Sequence, residues 1–435
     1  MRKSNLYIIL LAVGHLLLFS NRVGAQEVRR FPSSLSLKAA IDLAFQYHPS
    51  LRSANATMQS SEASLTLARS AYMPVVGVTA SATRTDGAFV FNPSFPPRIQ
   101  SYNNYSTVLN IQQTVYDFGK TDGRVSGAHE LLNASQFDYD AAQLNVINNV
   151  EVAYFGVLQA EKVVGVTTET LAQAEAHLNE AQAYYAVGTR PQIDVTTAKV
   201  NVANARVNLI RARNQLRIAG LQFENSIGVH SDLPYTLSDS LAVPSFSMSL
   251  DSVKAIAMNL RQDLLSARAR MQSSQSLVSS ASDQRLPTLA LAGSWSWSSF
   301  NFPLQSRWNA GVTLSLPLFQ GYGIDAQVDQ AEANLESSQA NLALTVENAL
   351  LDVEQNYLSL KEASDRIDAT AQLVGQTAEN LKIAEGRYNF GVGSAIEITD
   401  AQVALANARL SNIQALYDYN SSIVKLKRAM GVLGK

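Results

Sequence analysis

The 435-residue chain has no cysteine, which excludes disulfides, thiolate metal sites and a lipid-bearing N-terminal cysteine. Beyond its first 25 residues it has no run of 18 or more apolar residues, so no segment is a candidate transmembrane helix. The five histidines, His15, His48, His129, His177 and His230, show no metal-ligand spacing. No nucleophile elbow, phosphate loop or zinc signature occurs, so neither catalysis nor a cofactor is expected. Residues 1–25 read as a signal peptide: Arg2 and Lys3, an apolar stretch from Leu6 to Phe19, then Gly24-Ala25. Its removal takes away three basic residues and no acidic one, which moves the formal net charge from −2 to about −5. Nucleic acid is an unsuitable partner for such a chain.

What is present is written twice. Tyr154, Tyr185, Gly188, Asn204-Ala205-Arg206 and Gly228 recur 203 residues later as Tyr357, Tyr388, Gly391, Asn407-Ala408-Arg409 and Gly431. In the front halves the offset is 213, with Met58-Gln59-Ser60-Ser61 returning as Met271-Gln272-Ser273-Ser274 and Pro74 as Pro287. The first repeat is expected over 26–228 and the second over 249–435, joined by a linker at 229–248 that would lie to one side of the helices. The change of offset marks a ten-residue insertion in the first hairpin. Its tip, Phe89 to Ser101 with Pro93, Pro96 and Pro97, reads as an exposed loop.

Four segments alternate with period two, forming hairpins over 75–116 and 288–319: Val75 to Thr85, Tyr105 to Tyr116, Thr288 to Phe300 and Arg307 to Phe319. Each is long enough to cross a bilayer as a tilted strand. Trp295, Trp297, Phe300 and Trp308 gather towards one end, and Tyr72, Tyr116, Phe319 and Tyr322 towards the other, as two interfacial girdles against membrane lipid require. A half-buried sheet in a soluble domain is the other reading, but nothing nearby in sequence covers the apolar face. Four strands cannot close a barrel, and open edges in hydrocarbon leave unpaired backbone groups. Two chains would pool eight strands around a filled interior; three would pool twelve around a passage. A homotrimer is therefore expected.

The remainder is expected to be long helices. Lys120 to Val187 lacks proline, and at 1.5 Å per residue it would span about 100 Å. In the helix after it Val195, Val202, Leu209, Leu216 and Phe223 fall seven apart, with Ala198, Ala205, Ala212 and Ala219 between them. A second row, Val200, Val207 and Leu221, lies on nearly the opposite side. A helix with two apolar stripes has a neighbour on each side, as in the wall of a cylinder. The hairpin tips fall at Gly188-Thr189-Arg190-Pro191 and Gly391-Val392-Gly393-Ser394.

Strand pairs, doubled repeat, Arg387-Tyr388-Asn389-Phe390-Gly391, Ala401 and Asn407-Ala408-Arg409 together resemble the outer membrane efflux protein family, the TolC-like channels, over roughly residues 36–432. The resemblance implies a trimer with a twelve-stranded barrel in the outer membrane of a Gram-negative bacterium and a twelve-helix periplasmic tunnel. It also implies a passive exit duct for a tripartite efflux or type I secretion system, joined by a periplasmic adaptor, docking at the tips, to an inner membrane transporter. By position Asp194 matches an acidic site in the first repeat, and Glu397 and Asp400 match the pair of acids at the entrance constriction. Spaced three apart, Glu397 and Asp400 can face one side of a helix and stack as rings of charge. Acids in a first helical turn also simply favour the helix start. A basic residue common two places after the second tip glycine is replaced by Gly393, and an arginine stands in the first repeat as Arg190. Arg190, able to pair with a carboxylate, and Tyr388, whose hydroxyl could bond across neighbouring hairpins, are the latch candidates. A competing class is a trimeric coiled-coil structural or adhesive protein of the cell surface with a β anchor. Such a protein needs one anchor at one end, whereas this chain enters the strand region twice.

Overall fold

The computed structural model describes residues 34–89, 98–229 and 235–432. The expected signal peptide, the three prolines of the first hairpin tip and His230 lie outside them. In chain order the elements are β1 (Ser34–Leu35), α1 (Leu37–Tyr47), α2 (Pro49–Arg69), β2 (Val75–Phe89), β3 (Arg98–Tyr116), α3 (Lys120–Ala186) and α4 (Gln192–Ile227). Then follow β4 (Thr236–Leu237), α5 (Leu250–Leu260), α6 (Gln262–Ser282), β5 (Thr288–Ser299), β6 (Gln305–Ser315), α7 (Gly323–Asn389) and α8 (Ala395–Ala429). Both ends of α1 and α2 map onto α5 and α6 with the offset of 213, and both ends of α3 map onto α7 with 203. The repeat is thus structural as well as sequential.

Each repeat is built around one long helix. Helices α3 and α7 are both 67 residues, about 100 Å at 1.5 Å per residue. No isolated helix needs such length, and the stability comes from neighbours. Helix α6 lies against the start of α3 so closely that a Cβ at Gly123 would sit 2.8 Å from Ser280 Cβ and 2.9 Å from the Ser276 carbonyl. Ser273 seals the contact by donating to the Gly127 carbonyl at 2.8 Å. In α4 the row Val195, Ala198, Ala205, Leu209, Ala212, Ala219 and Phe223 is buried, while Val200, Val207 and Leu221 stand exposed. One of its two apolar stripes is therefore filled within the chain and the other is not.

No central core exists in such a shape. Apolar clusters are strung along the helices instead: one around Tyr154, Phe223 and Ile227 in the first repeat, one around Val353, Tyr419 and Leu426 in the second, and smaller ones at the tips. Tyr154 also holds the linker to the first repeat, its hydroxyl donating to the Leu35 carbonyl at 3.1 Å and approaching Asp239 Oδ2 at 2.6 Å. Strand β4 pairs there in parallel with β1.

The other strands form one antiparallel sheet in the order β2-β3-β5-β6. Both hairpins thus share a sheet, and its outer strands β2 and β6 each have one free edge among the described residues. Several strand boundaries differ from the sequence expectation, two of them slightly: β5 ends at Ser299 rather than Phe300 and β6 begins at Gln305 rather than Arg307. Strand β6 stops at Ser315 rather than Phe319, because Pro317 offers no N–H to a ladder. In the first hairpin Phe89 and Arg98 pair with each other, so residues expected in an exposed loop extend the strands. Ser101 Oγ donates to Asp86 Oδ1 at 2.9 Å across these added rungs.

Candidate functional site

Two regions carry the candidate residues: the sheet and the hairpin tips. In the sheet, Val78, Leu109, Trp295 and Trp308 stand directly opposite one another in a row across all four strands, which puts them on one face. Trp295 stacks on Trp297 at 5.4 Å. Trp308 is 76% exposed, and Val76, Val78, Val312 and Leu314 are more than half exposed. Among the described residues of one copy nothing covers this apolar face. At the helix-proximal end Tyr116 packs on Phe118 and Phe319 on Tyr322, while Tyr72 donates to Asp122 at 3.3 Å. The far end adds aromatics that the sequence reading did not place in the girdle: Tyr102, against Phe300 at 5.4 Å, and Tyr105 with Phe302 at 5.2 Å. Lys120 Nζ donates to the Leu286 carbonyl at 2.7 Å and Thr288 Oγ1 at 2.8 Å. Arg285 pairs with Asp325 at 2.7 Å, so polar bonds fix the sheet's base to the helices.

At the tips, Gly188 (φ 77°) and Gly391 (φ 79°) take the left-handed conformation that ends α3 and α7. Thr189 is held by its N–H to the Tyr184 carbonyl at 3.0 Å. Pro191 occupies the cap of α4, and Ser394 Oγ caps α8 by accepting from the Glu397 N–H at 3.3 Å. Val392 and Gly393 both donate to the Arg387 carbonyl. A Cβ on Gly393 would lie 2.9 Å from Arg387 Cβ and from the Tyr388 nitrogen. A basic side chain at that position would not fit this turn.

Arg190 reaches from the first tip into the second. Its Nη2 donates to the Tyr388 carbonyl at 2.8 Å and its Nη1 to the Gly393 carbonyl at 3.3 Å. Its guanidinium carbon lies 4.4 Å from the Tyr388 ring centre, within cation–π range. The sequence expectation paired Arg190 with a carboxylate and gave the Tyr388 hydroxyl a partner across the hairpins. Both differ here: the arginine takes carbonyls and a ring face, and the buried Tyr388 hydroxyl has no hydrogen-bond partner among the described residues. Tyr388 is 1% exposed, enclosed also by His177 at 5.3 Å and Tyr184 at 6.0 Å. Burial, then the nearby Asp194 carboxylate, raise its phenol above the ordinary value, which keeps it neutral. His177 and Tyr184 were not singled out in sequence, although their spacing of seven along α3 was a usable signal.

The acids divide. Asp194 is half-buried at the start of α4. Glu397 is engaged, accepting from Arg387 Nε at 3.0 Å. Asp400 is exposed, with no ion pair among the described residues. A further polar tie between hairpins runs from Asn201 Nδ2 to Thr399 Oγ1 at 2.8 Å.

An apolar-faced sheet with two free edges, continuous with paired helical hairpins about 100 Å long, defines a subunit of a membrane-anchored channel. The sequence profile of the outer membrane efflux protein family matches residues 40–229 and 255–432, and the chain belongs to that family. It is an outer membrane protein of Gram-negative type and serves as an exit duct in efflux. Among curated relatives, the outer membrane protein TolC of Salmonella enteritidis is 27% identical over 410 residues, covering 89% of this chain and 80% of that protein. The solvent efflux pump outer membrane protein SrpC of Pseudomonas putida is 23% identical, covering 93% and 87%. Among solved structures, the CmeC outer membrane channel of Campylobacter jejuni superposes with a TM-score of 0.82 at 21% identity, covering 91% and 85%.

Proposed function

We propose that the chain works as a passive homotrimer, in which three four-stranded sheets close a twelve-stranded barrel and six helical hairpins close a periplasmic tunnel. The observation that carries this reading is the pair of free edges on β2 and β6 beside an uncovered apolar face. In hydrocarbon each unpaired backbone group costs several kcal/mol, and only further copies of the same sheet supply the missing partners without a new edge. The aromatic residues at the two ends, Tyr72, Tyr116, Phe319 and Tyr322 on one side and Trp295, Trp297 and Trp308 towards the other, would anchor the barrel at the lipid interfaces. The joining of both hairpins in one sheet argues against a single-anchor adhesin.

The tips are then the periplasmic mouth. Gly188, Thr189, Gly391, Val392, Gly393 and Ser394 form the surface on which a periplasmic adaptor would dock, linking the duct to an inner membrane transporter. The clasp of Arg190 on Tyr388 and Gly393 binds the two hairpins of one copy and favours the closed mouth. An adaptor opens it only through higher affinity for the open form. Of the constriction acids, Asp400 contributes the free charge, Glu397 is partly neutralised by Arg387, and Asp194 sits behind the tyrosine. Detergent-corrected light scattering of the purified protein tests the assembly: three copies per particle are expected, and a stable folded monomer would rule the reading out.

A further inference from the structure

Within one copy only one of the two kinds of seam between hairpins is filled. It sets α3 against α8, and in it Gln159 Nε2 donates to Gln414 Oε1 at 2.6 Å while Arg409 pairs with Glu169 at 2.7 Å. The repeat maps α3 onto α7 and α4 onto α8 by the shift of 203 residues. A cylinder of six hairpins therefore closes by setting α7 of one copy against α4 of the next. Carried over by that shift, Gln159 corresponds to Glu362 and Gln414 to Arg211. A neutral pair inside the chain becomes a pair of opposite charges between chains.

Exposure and charge point the same way. Val424 of α8 is 6% exposed and shares a crevice with Leu144 and Ile147 of α3, whereas its counterpart Leu221 on α4 is 53% exposed. Helix α7 offers Leu344, Leu351 and Leu358, seven apart and each more than half exposed, which is the spacing of a helix seam. Arg211 makes no ion pair among the described residues. Glu362 is largely exposed, and its neighbour Arg366, 3.1 Å away, is shared with Asp418.

We propose that Arg211 of each copy pairs with Glu362 of the partner subunit, beside a seam in which Leu221 packs on the leucine stripe of α7. This rests on the trimer reading and adds its register. The two kinds of seam also carry their charges at different heights. The intrachain ion pair uses Glu169, ten residues along α3 from Gln159, about 15 Å at 1.5 Å per residue. At the level of Glu169 the counterpart across copies is the neutral Gln372, facing Arg206. A hairpin slid out of register forfeits its charge partner, which gives the assembly specificity.

The absence of cysteine makes the test clean. Chains carrying Arg211→Cys alone and Glu362→Cys alone are co-expressed and treated with a short bismaleimide. A cross-linked dimer on a denaturing gel is expected. The intrachain control, Gln159→Cys with Gln414→Cys in one chain, should take up one reagent across its two thiols and still run as a single chain, without a dimer band. If the unmodified protein scatters light as a trimer and the control closes but the mixture yields no dimer, the pairing is wrong and the trimer stands. A particle of another stoichiometry overturns the trimer itself. As an independent arm, Arg211→Glu should lower the heat resistance of the trimer and added Glu362→Arg should restore it. Failure of the double reversal to restore it contradicts the charge pairing.

Discussion

At Arg190 one side chain makes two hydrogen bonds to carbonyls and covers an aromatic ring on the other hairpin. Charge-assisted bonds of this kind contribute roughly 1.5–3 kcal/mol each when shielded from water, and less at a half-exposed site. Arg190→Ser should therefore raise single-channel conductance in planar bilayers without loss of assembly. Tyr388→Phe should leave conductance unchanged, because the hydroxyl it removes has no partner among the described residues. If Tyr388→Phe opened the channel as Arg190→Ser does, the hydroxyl rather than the ring would be the latch. Asp400→Asn should weaken cation selectivity, measured as reversal potential, more than Glu397→Gln does, since Glu397 already faces Arg387. Equal effects would return both acids to one ring. The residue types and their doubled spacing were legible in sequence. Which group Arg190 meets was not, because contacts between residues about 200 apart depend on how the two hairpins lie together.

Among elements, the long helices were the most legible, since absence of proline, heptad rows and tip glycines all agree on α3, α4, α7 and α8. The extension of β2 and β3 was hidden. Past Thr85 the added rungs include Asp86, Gly87, Gln100 and Ser101, none of them apolar and large, so the alternation that marks a half-apolar strand fades. That polarity makes the extension dispensable. Replacing residues 86–101, whose ends pair as Asp86 with Ser101, by an Asn-Gly turn removes whole rungs and preserves which face each remaining side chain takes. The trimer should keep its heat resistance in detergent. Dissociation of the shortened protein would mean that the added rungs take part in closing the barrel. The unfilled apolar row of α4 was also visible in sequence as a second stripe; on the trimer reading its neighbour belongs to another copy.

For the whole molecule, the proposed trimer gives free sheet edges and exposed helix stripes one common cause: a single copy would be one third of a closed cylinder. Folding and association are then one equilibrium, so stability should rise with protein concentration. The sheet cannot persist in lipid alone, and the helices cannot bury their outer rows alone. Passage through the closed assembly is the claim on which the rest depends, and current through a planar bilayer reads it directly. Purified trimer should give small discrete steps, larger in the Arg190→Ser protein and cation-selective in both. A protein that inserts as a trimer yet passes no current even with Arg190→Ser would contradict the duct.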